Sequence, residues 1–228
     1  MGPGQTVPVD AAQAHYLFGV MRLPVGAVLS VFNGRDGEWD ATVAQANKRG
    51  GLLVLVAQTL PLQVPPDLWL CFAPLKKART DFVVEKAVEM GVARIVPVLT
   101  DFTNAERLRV DKIRAHVVEA AEQCGATYVP PMAEPVKLAR LLDDWPDGRR
   151  IMFCDEALRG GLACLPGESG GPWAVLIGPE GGFSGAERDR LRALPHAHPV
   201  SLGPRVLRAD TAAVAALTLW QMAMGDWR

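Results

Sequence analysis

The stretch 176–211, LIGPEGGFSGAERDRLRALPHAHPVSLGPRVLRADT, constrains the fold more than any other part of the chain. Twice within it a short apolar run, of the kind that forms a buried strand, ends in a glycine-containing loop. The loops are 178–182 (GPEGG) and 201–208 (SLGPRVLR), and a helix-like segment follows each. Two strands of one parallel sheet would therefore present neighbouring loops at their carboxyl ends, where ligands settle in open α/β sheets. Gly181 and Gly182 can take positive φ and let a ligand lie against bare backbone. Ser184 with Glu187 three residues on has the spacing of a capping box. Asp210-Thr211 leads into AAVAALTLWQMAM, a strong helix former.

Upstream, the pattern changes character at 61–66, where three prolines in six residues favour an extended spacer. This predicts two domains, 1–62 and 67–228. In the first, residues 1–13 read as loose and 14–22 as a short helix with Leu17, Val20 and Met21 on one face, stopped by Pro24. Three β-like runs follow at 27–32, 38–46 and 52–57, with turns at 33–37 and 48–51, which predicts a small barrel or sheet. In the second domain strands and helices alternate. Strands are expected at 68–73, 94–99, 150–154, 173–177 and 198–202. Helices are expected at 78–90, 110–124 and 136–145, the first two ended by Gly91 and Gly125. Such alternation gives an α/β fold, a parallel sheet with helices on both faces.

Bulk properties mainly exclude. A net charge of −1 gives no global basic field, so nucleic-acid binding needs local patches. Residues 1–62 themselves balance four Lys and Arg against four Asp and Glu. Cys71, Cys124, Cys154 and Cys164 are widely spaced with no CxxC, which reads as reduced thiols in a cytoplasmic protein. His196 and His198 form a lone HxH, and no metal is expected. No signal peptide is expected, and no apolar run reaches the roughly 18 residues of a membrane span. The glycines do not spell the dinucleotide fingerprint, and no GK[ST] phosphate loop is present.

GPEGG-F-S-x-x-E, then LGPRVLR, then an acid followed by Thr-Ala, resembles the SPOUT superfamily of S-adenosylmethionine-dependent RNA methyltransferases. In particular it resembles the bacterial family that methylates N3 of a uridine in small-subunit ribosomal RNA. The likeness covers nearly the whole chain. His15, Leu17, Val20 and Arg22 occupy the HxLxxVxR pattern of the family's PUA-like β-barrel domain. Lys76, Arg79, Lys86, Glu89 and Gly91 fit a further motif, as does AAEQCG at 120–125. Departures fall at Ala126-Thr127, where the family has Arg after the glycine, and at Thr100-Asp101-Phe102-Thr103, where it has Glu-Arg-Ser. At Ala209 and Asp210 it has Thr and Glu.

The resemblance implies a trefoil knot in the C-terminal segment, S-adenosylmethionine bound at the knot loops, and a homodimer. Its implied partner is small-subunit rRNA or the assembled small ribosomal subunit. Residues expected to hold the cofactor are Leu176, Ile177, Gly178, Pro179, Glu180, Gly181, Leu202, Gly203, Val206 and Leu207. Phe153 to Glu156 are expected to form a third wall; the alternative for Asp155-Glu156 is a solvated loop. Methylating uridine N3 removes an imide proton, which needs a base or stabilisation of charge on O2 or O4. Arg205 and Arg208 would donate to carbonyl oxygens or phosphate, with Glu180 and Asp210 as candidate carboxylates. Asp210 has the alternative of capping the last helix. RNA contacts are expected from Arg22, Lys76, Lys77, Arg79 and Lys86. The alternatives are a surface charge for Arg22, a hydrogen-bonded structural role for His15, and a surface ion pair for Lys86 with Glu89. At the level of the whole chain the alternatives are a ribose 2′-O-methyltransferase of the same superfamily and a non-catalytic RNA-binding or ribosome-assembly module.

Overall fold

The computed structural model describes residues 1–104, 108–158 and 171–227. Cys164 lies outside the described residues. The chain divides into two compact units, Met1–Val64 and Pro65–Arg228.

The first unit contains β1 (Thr6–Val9), α1 (Ala11–Ala14), a π-helical turn (His15–Val20), β2 (Val28–Phe32), β3 (Glu38–Asn47) and β4 (Gly50–Leu60). Its strands form an antiparallel sheet in the order β1-β4-β3-β2. Alternation along β3 turns Trp39, Ala41 and Val43 inward to meet Leu53 and Leu55 of β4, with Val9 and Ala14 closing the core. The turn before β3 is built by Asn33, whose side-chain oxygen accepts from the Arg35 and Asp36 amides at 3.0 and 2.9 Å.

Three expectations for this unit are corrected. Residues 1–13 are not loose: Thr6–Val9 pairs with β4, and Pro8 is tolerated because β1 is an edge strand. The helix starts at Ala11, capped by Asp10 and Gln13 in a reciprocal capping box, and runs on as a π turn. A π turn holds more residues than an α turn, so the 3.6-residue spacing fails. Leu17 and Phe18 pack on the core, whereas Val20 and Met21 are 59% and 50% exposed. His15 is exposed and its imidazole makes no hydrogen bond among the described residues, so its side chain is not the hydrogen-bonded structural group of the alternative. Arg22 follows in a left-handed conformation, φ 56°, the only described non-glycine residue with positive φ. That conformation is uncommon for a side chain of this size.

The second unit contains β5 (Leu68–Phe72), α2 (Lys77–Glu89), β6 (Arg94–Leu99), α3 (Val110–Cys124), β7 (Val136–Lys137), α4 (Leu138–Asp143), β8 (Arg150–Cys154), β9 (Trp173–Ile177), α5 (Gly185–Ala193), β10 (Ala197–Val200) and α6 (Ala209–Met224). Six parallel strands lie in the order β10-β8-β9-β5-β6-β7. All five residues of β9 are buried, as is β8 from Ile151 to Cys154, so the central strands are covered on both faces. The expected helix at 136–145 is shorter at both ends, because Val136–Lys137 pairs with β6 and extends the sheet. The last strand stops at Val200, and Ser201-Leu202 already belongs to the loop.

One cluster locks the amino ends of the strands. Arg149, nearly fully buried, donates to the Asp67 carboxylate at 2.8 and 2.9 Å and to the Trp173 carbonyl at 2.8 Å. Its guanidinium lies 3.9 Å from the Trp69 ring centre. These contacts tie together the starts of β5, β8 and β9. The carboxyl ends are left to carry loops.

Candidate active site

The order β10-β8-β9 places the β8 end between the two glycine loops. That insertion frames the candidate site. A pocket of about 60 Å³ opens where the β10 loop meets β8, lined by Leu202, Gly203, Val206 and Leu207 together with Arg205, Cys154, Asp155 and Glu156. Gly203 has φ +112°, and a Cβ there would meet nothing within 4 Å. The backbone conformation, not crowding, calls for glycine at this point. Burial pushes the Cys154 thiol up to about 12, so the pocket wall carries a neutral, unreactive sulfur.

Asp155 is not part of a solvated loop. Its side chain is fully buried and accepts from Arg192 Nε at 3.0 Å and the Ala157 amide at 3.0 Å, with Arg188 Nε 3.3 Å away. Glu156 pairs with Arg188 at 2.5 Å. A Cβ on Gly182, which has φ +71°, would fall 2.2 Å from the Glu156 carboxylate oxygen. The β8 end therefore joins α5 and the GPEGG loop into one body.

That loop is braced from its other side too. Ser184 and Glu187 form the expected capping box of α5. Ser184 Oγ also donates to Asp101 at 2.6 Å, and the Asp101 amide donates to Glu187 at 2.9 Å. The departure at 100–103 is thus a brace between the loops after β6 and β9. Gly182, but not Gly181, has positive φ; a Cβ on Gly181 would lie 3.2 Å from Phe102.

Arg79 joins the two candidate carboxylates. From the first turn of α2 its Nη1 donates to Glu180 at 3.1 Å, and its Nε stands 3.7 Å from Asp210. Asp210 is not the cap of α6. It lies in the first turn, and its second oxygen accepts from the Thr211 amide at 2.9 Å. Arg205 and Arg208 are exposed, and neither side chain has a hydrogen bond or ion pair among the described residues.

Residues 63–221 match the RNA methyltransferase domain family, and residues 9–56 match its RNA methyltransferase PUA domain. The chain belongs to the RNA methyltransferase family. The Ribosomal RNA small subunit methyltransferase E of Rickettsia conorii is 28% identical over 89% of this chain and 84% of its own length. A protein of the same name from Neisseria gonorrhoeae, solved bound to S-adenosyl methionine, superposes with a TM-score of 0.88 at 26% identity. The superposition covers 100% of this chain and 96% of that one. A methyltransferase from Legionella pneumophila, in complex with the bound cofactor SAM, gives 0.89 at 28% identity, covering 99% and 95%.

In this RNA methyltransferase the ten expected cofactor residues separate into two groups. Leu202, Gly203, Val206 and Leu207 share the pocket with Arg205. Leu176 and Ile177 are interior residues of β9, and the Ile177 carbonyl is taken by the Ala73 amide at 3.0 Å. Pro179 is buried, Gly178 packs against Phe183, and Glu180 and Gly181 are exposed. None of these six lines the pocket, whose other wall is the β8 end.

Helix starts around the site divide by chemistry. α5 begins with a full capping box, whereas the N-cap positions of α2 and α6 are Lys76 and Arg208, neither with a side-chain cap. An uncapped start costs about 1 kcal/mol relative to Ser or Asp, and cations there oppose the helix dipole. Positions that break a local stability rule point to function. Of the expected RNA contacts, Lys76 is exposed, Lys77 pairs with Asp81, and Lys86 is engaged by both Glu85 and Glu89, at 2.7 and 2.8 Å. Those carboxylates hold the Lys86 ammonium above its usual range. Lys86 thus makes the surface ion pair with Glu89 given above as its alternative. A larger cavity, about 740 Å³, lies between α2 and α3 and is rimmed by Lys76, Lys77, Arg109, Lys112 and His116. Arg109, paired with Asp111 at 3.0 Å, and Lys112 were not singled out in the sequence, since no local motif links them to the start of α2, some thirty residues earlier.

Proposed function

We propose that this methyltransferase transfers a methyl group from S-adenosylmethionine to N3 of a uridine in small-subunit rRNA, in the cytoplasm. The observation that carries the reading is two unpaired arginines on the loop that walls an apolar pocket at parallel strand ends. The pocket residues fit the cofactor. Leu202, Val206 and Leu207 offer apolar surface, Gly203 exposes backbone, and Cys154 is neutral. At about 60 Å³ the pocket is below the roughly 300 Å³ at which small-ligand sites begin. Val206, on the loop that walls it, is 69% exposed. The trefoil knot belongs to the same reading. It is supported by the return of the chain from edge strand β10 to pack α6 against α2 and β9.

When bound, the cofactor supplies an electrophilic methyl group on a sulfonium. The chain's own residues do the rest. Arg208 and Arg205 donate to O2 or O4 of the base, where negative charge develops as the N3 proton leaves, or to the adjoining phosphate. The proton is assigned to Glu180. Asp210 has both oxygens engaged, whereas Glu180 keeps one oxygen without a partner among the described residues. Lys76, Lys77 and Lys112 line the approach for the RNA backbone. Incubation with label in the donor methyl group and unmodified small-subunit rRNA, naked or assembled, tests the reading. Labelled N3-methyluridine is expected; label on a ribose 2′-oxygen would replace it with the 2′-O reading, and no transfer at all with the non-catalytic one.

The Met1–Val64 unit is assigned to RNA binding, with Arg22 as its candidate contact. A chain beginning at Pro65 is expected to bind S-adenosylmethionine as the full chain does and to lose rRNA methylation. Full activity of that shortened chain would remove the role.

A homodimer is part of the proposal. On α6, Leu217, Trp220 and Met224 are buried, but Met222 is 63% exposed and Val214 and Leu219 half-buried, an apolar surplus that needs a partner. Sedimentation at micromolar concentration is expected to give the dimer mass; an active monomer would refute it.

A further inference from the structure

We propose that Arg79 is a positioning residue of the methyl-transfer site, holding Glu180 of the β9 loop and Asp210 of α6 in a fixed relation. This rests on the assignment of Glu180, Asp210 and Arg208 to that site. Its own support is geometric. Arg79 Nη1 is 3.1 Å from Glu180, and Arg79 Nε is 3.7 Å from Asp210. One guanidinium thus spans two segments that the sheet alone does not connect. Its platform is rigid. The next residue, Thr80, is buried, and its hydroxyl both accepts from the Leu75 amide and donates to the Leu75 carbonyl, each at 2.9 Å. The Arg79 amide itself donates to Lys76 at 2.9 Å.

Stability does not explain the arrangement. Both pairs are partly solvent-exposed, the Arg79 side chain 33%, and such pairs contribute little. Arg79 also sits in the first turn of α2, where the helix dipole disfavours a cation and the turn itself holds no acidic residue. What the cluster does supply is register. Asp210 is two residues from Arg208, so fixing Asp210 relative to Glu180 fixes the arginine loop relative to the GPEGG loop. Arginine suits the task because its planar fork presents separate donors to two acceptors, which a lysine ammonium cannot do with the same geometry.

The test is steady-state methyl transfer by the full chain to small-subunit rRNA, with cofactor affinity measured separately. Arg79→Gln is expected to lower kcat by about 10- to 100-fold, the scale of an ångström-sized misplacement. The cofactor Kd and the KM for RNA should stay within about threefold, and Arg79→Lys should recover part of kcat. Combining Arg79→Gln with Asp210→Asn should cost no more than the worse single change, because both break one cluster. Circular dichroism checks that each variant is folded. A raised KM for RNA with kcat intact would make Arg79 an RNA contact and overturn the proposal. Multiplying effects in the double variant would overturn it as well. If Asp210→Asn and Arg208→Ala both leave kcat unchanged, the site assignment itself fails, and this proposal with it.

Discussion

Arg208→Ala is expected to lower kcat by about 10²- to 10³-fold, the effect of removing one donor from a developing oxyanion. Folding stability should hardly change. Arg208 is exposed and has no partner among the described residues, so nothing in the fold depends on its guanidinium. It also occupies the start of α6, where Ser or Asp would stabilise the helix by about 1 kcal/mol. A residue that a helix would be more stable without, pointing at no neighbour, is available for a ligand. The check is kcat with thermal unfolding of the same sample. A large loss of melting temperature would show a structural role, and an unchanged kcat would remove Arg208 from the chemistry.

Gly203→Val is expected to weaken S-adenosylmethionine binding by roughly tenfold to a hundredfold. A β-branched residue at φ +112° carries strain of about 1–3 kcal/mol, and each 1.4 kcal/mol is tenfold in affinity. Because a Cβ there meets open space, the body of the protein should stay folded while the loop changes course. Calorimetric titration with the cofactor reads this directly. Unchanged affinity in a folded variant would place the cofactor away from the β10 loop.

Much of the scaffold around the candidate site was readable because its determinants are local. The capping box at Ser184 and Glu187, the glycine stops at 91 and 125, and the two strand–loop–helix units are each written within a few residues. What escaped was non-local. Strand order decides that β8 runs between β9 and β10, and only then does Asp155 become a buried side chain held by two arginines of α5. Arg79 meets Glu180 across 101 residues, a pairing that no periodicity records. Glu180 and Asp210 were visible as candidate carboxylates; that a third residue holds both was not. In the first unit the misses had another cause. β1 lies among glycine and proline, which read as loop until the edge position of the strand is known, and the π turn breaks the spacing by which helices are recognised. Lys86 shows the converse. Its motif was legible, but its neighbours Glu85 and Glu89 already take up the charge.

The central claim is methylation of one uridine at N3 in small-subunit rRNA. Mass mapping of modified nucleosides in that rRNA, from cells with and without this protein, tests it most directly. Loss of a single N3-methyluridine, with every other modification retained, is the predicted result. An unchanged map, or the loss of a ribose 2′-O-methyl group instead, would contradict the account.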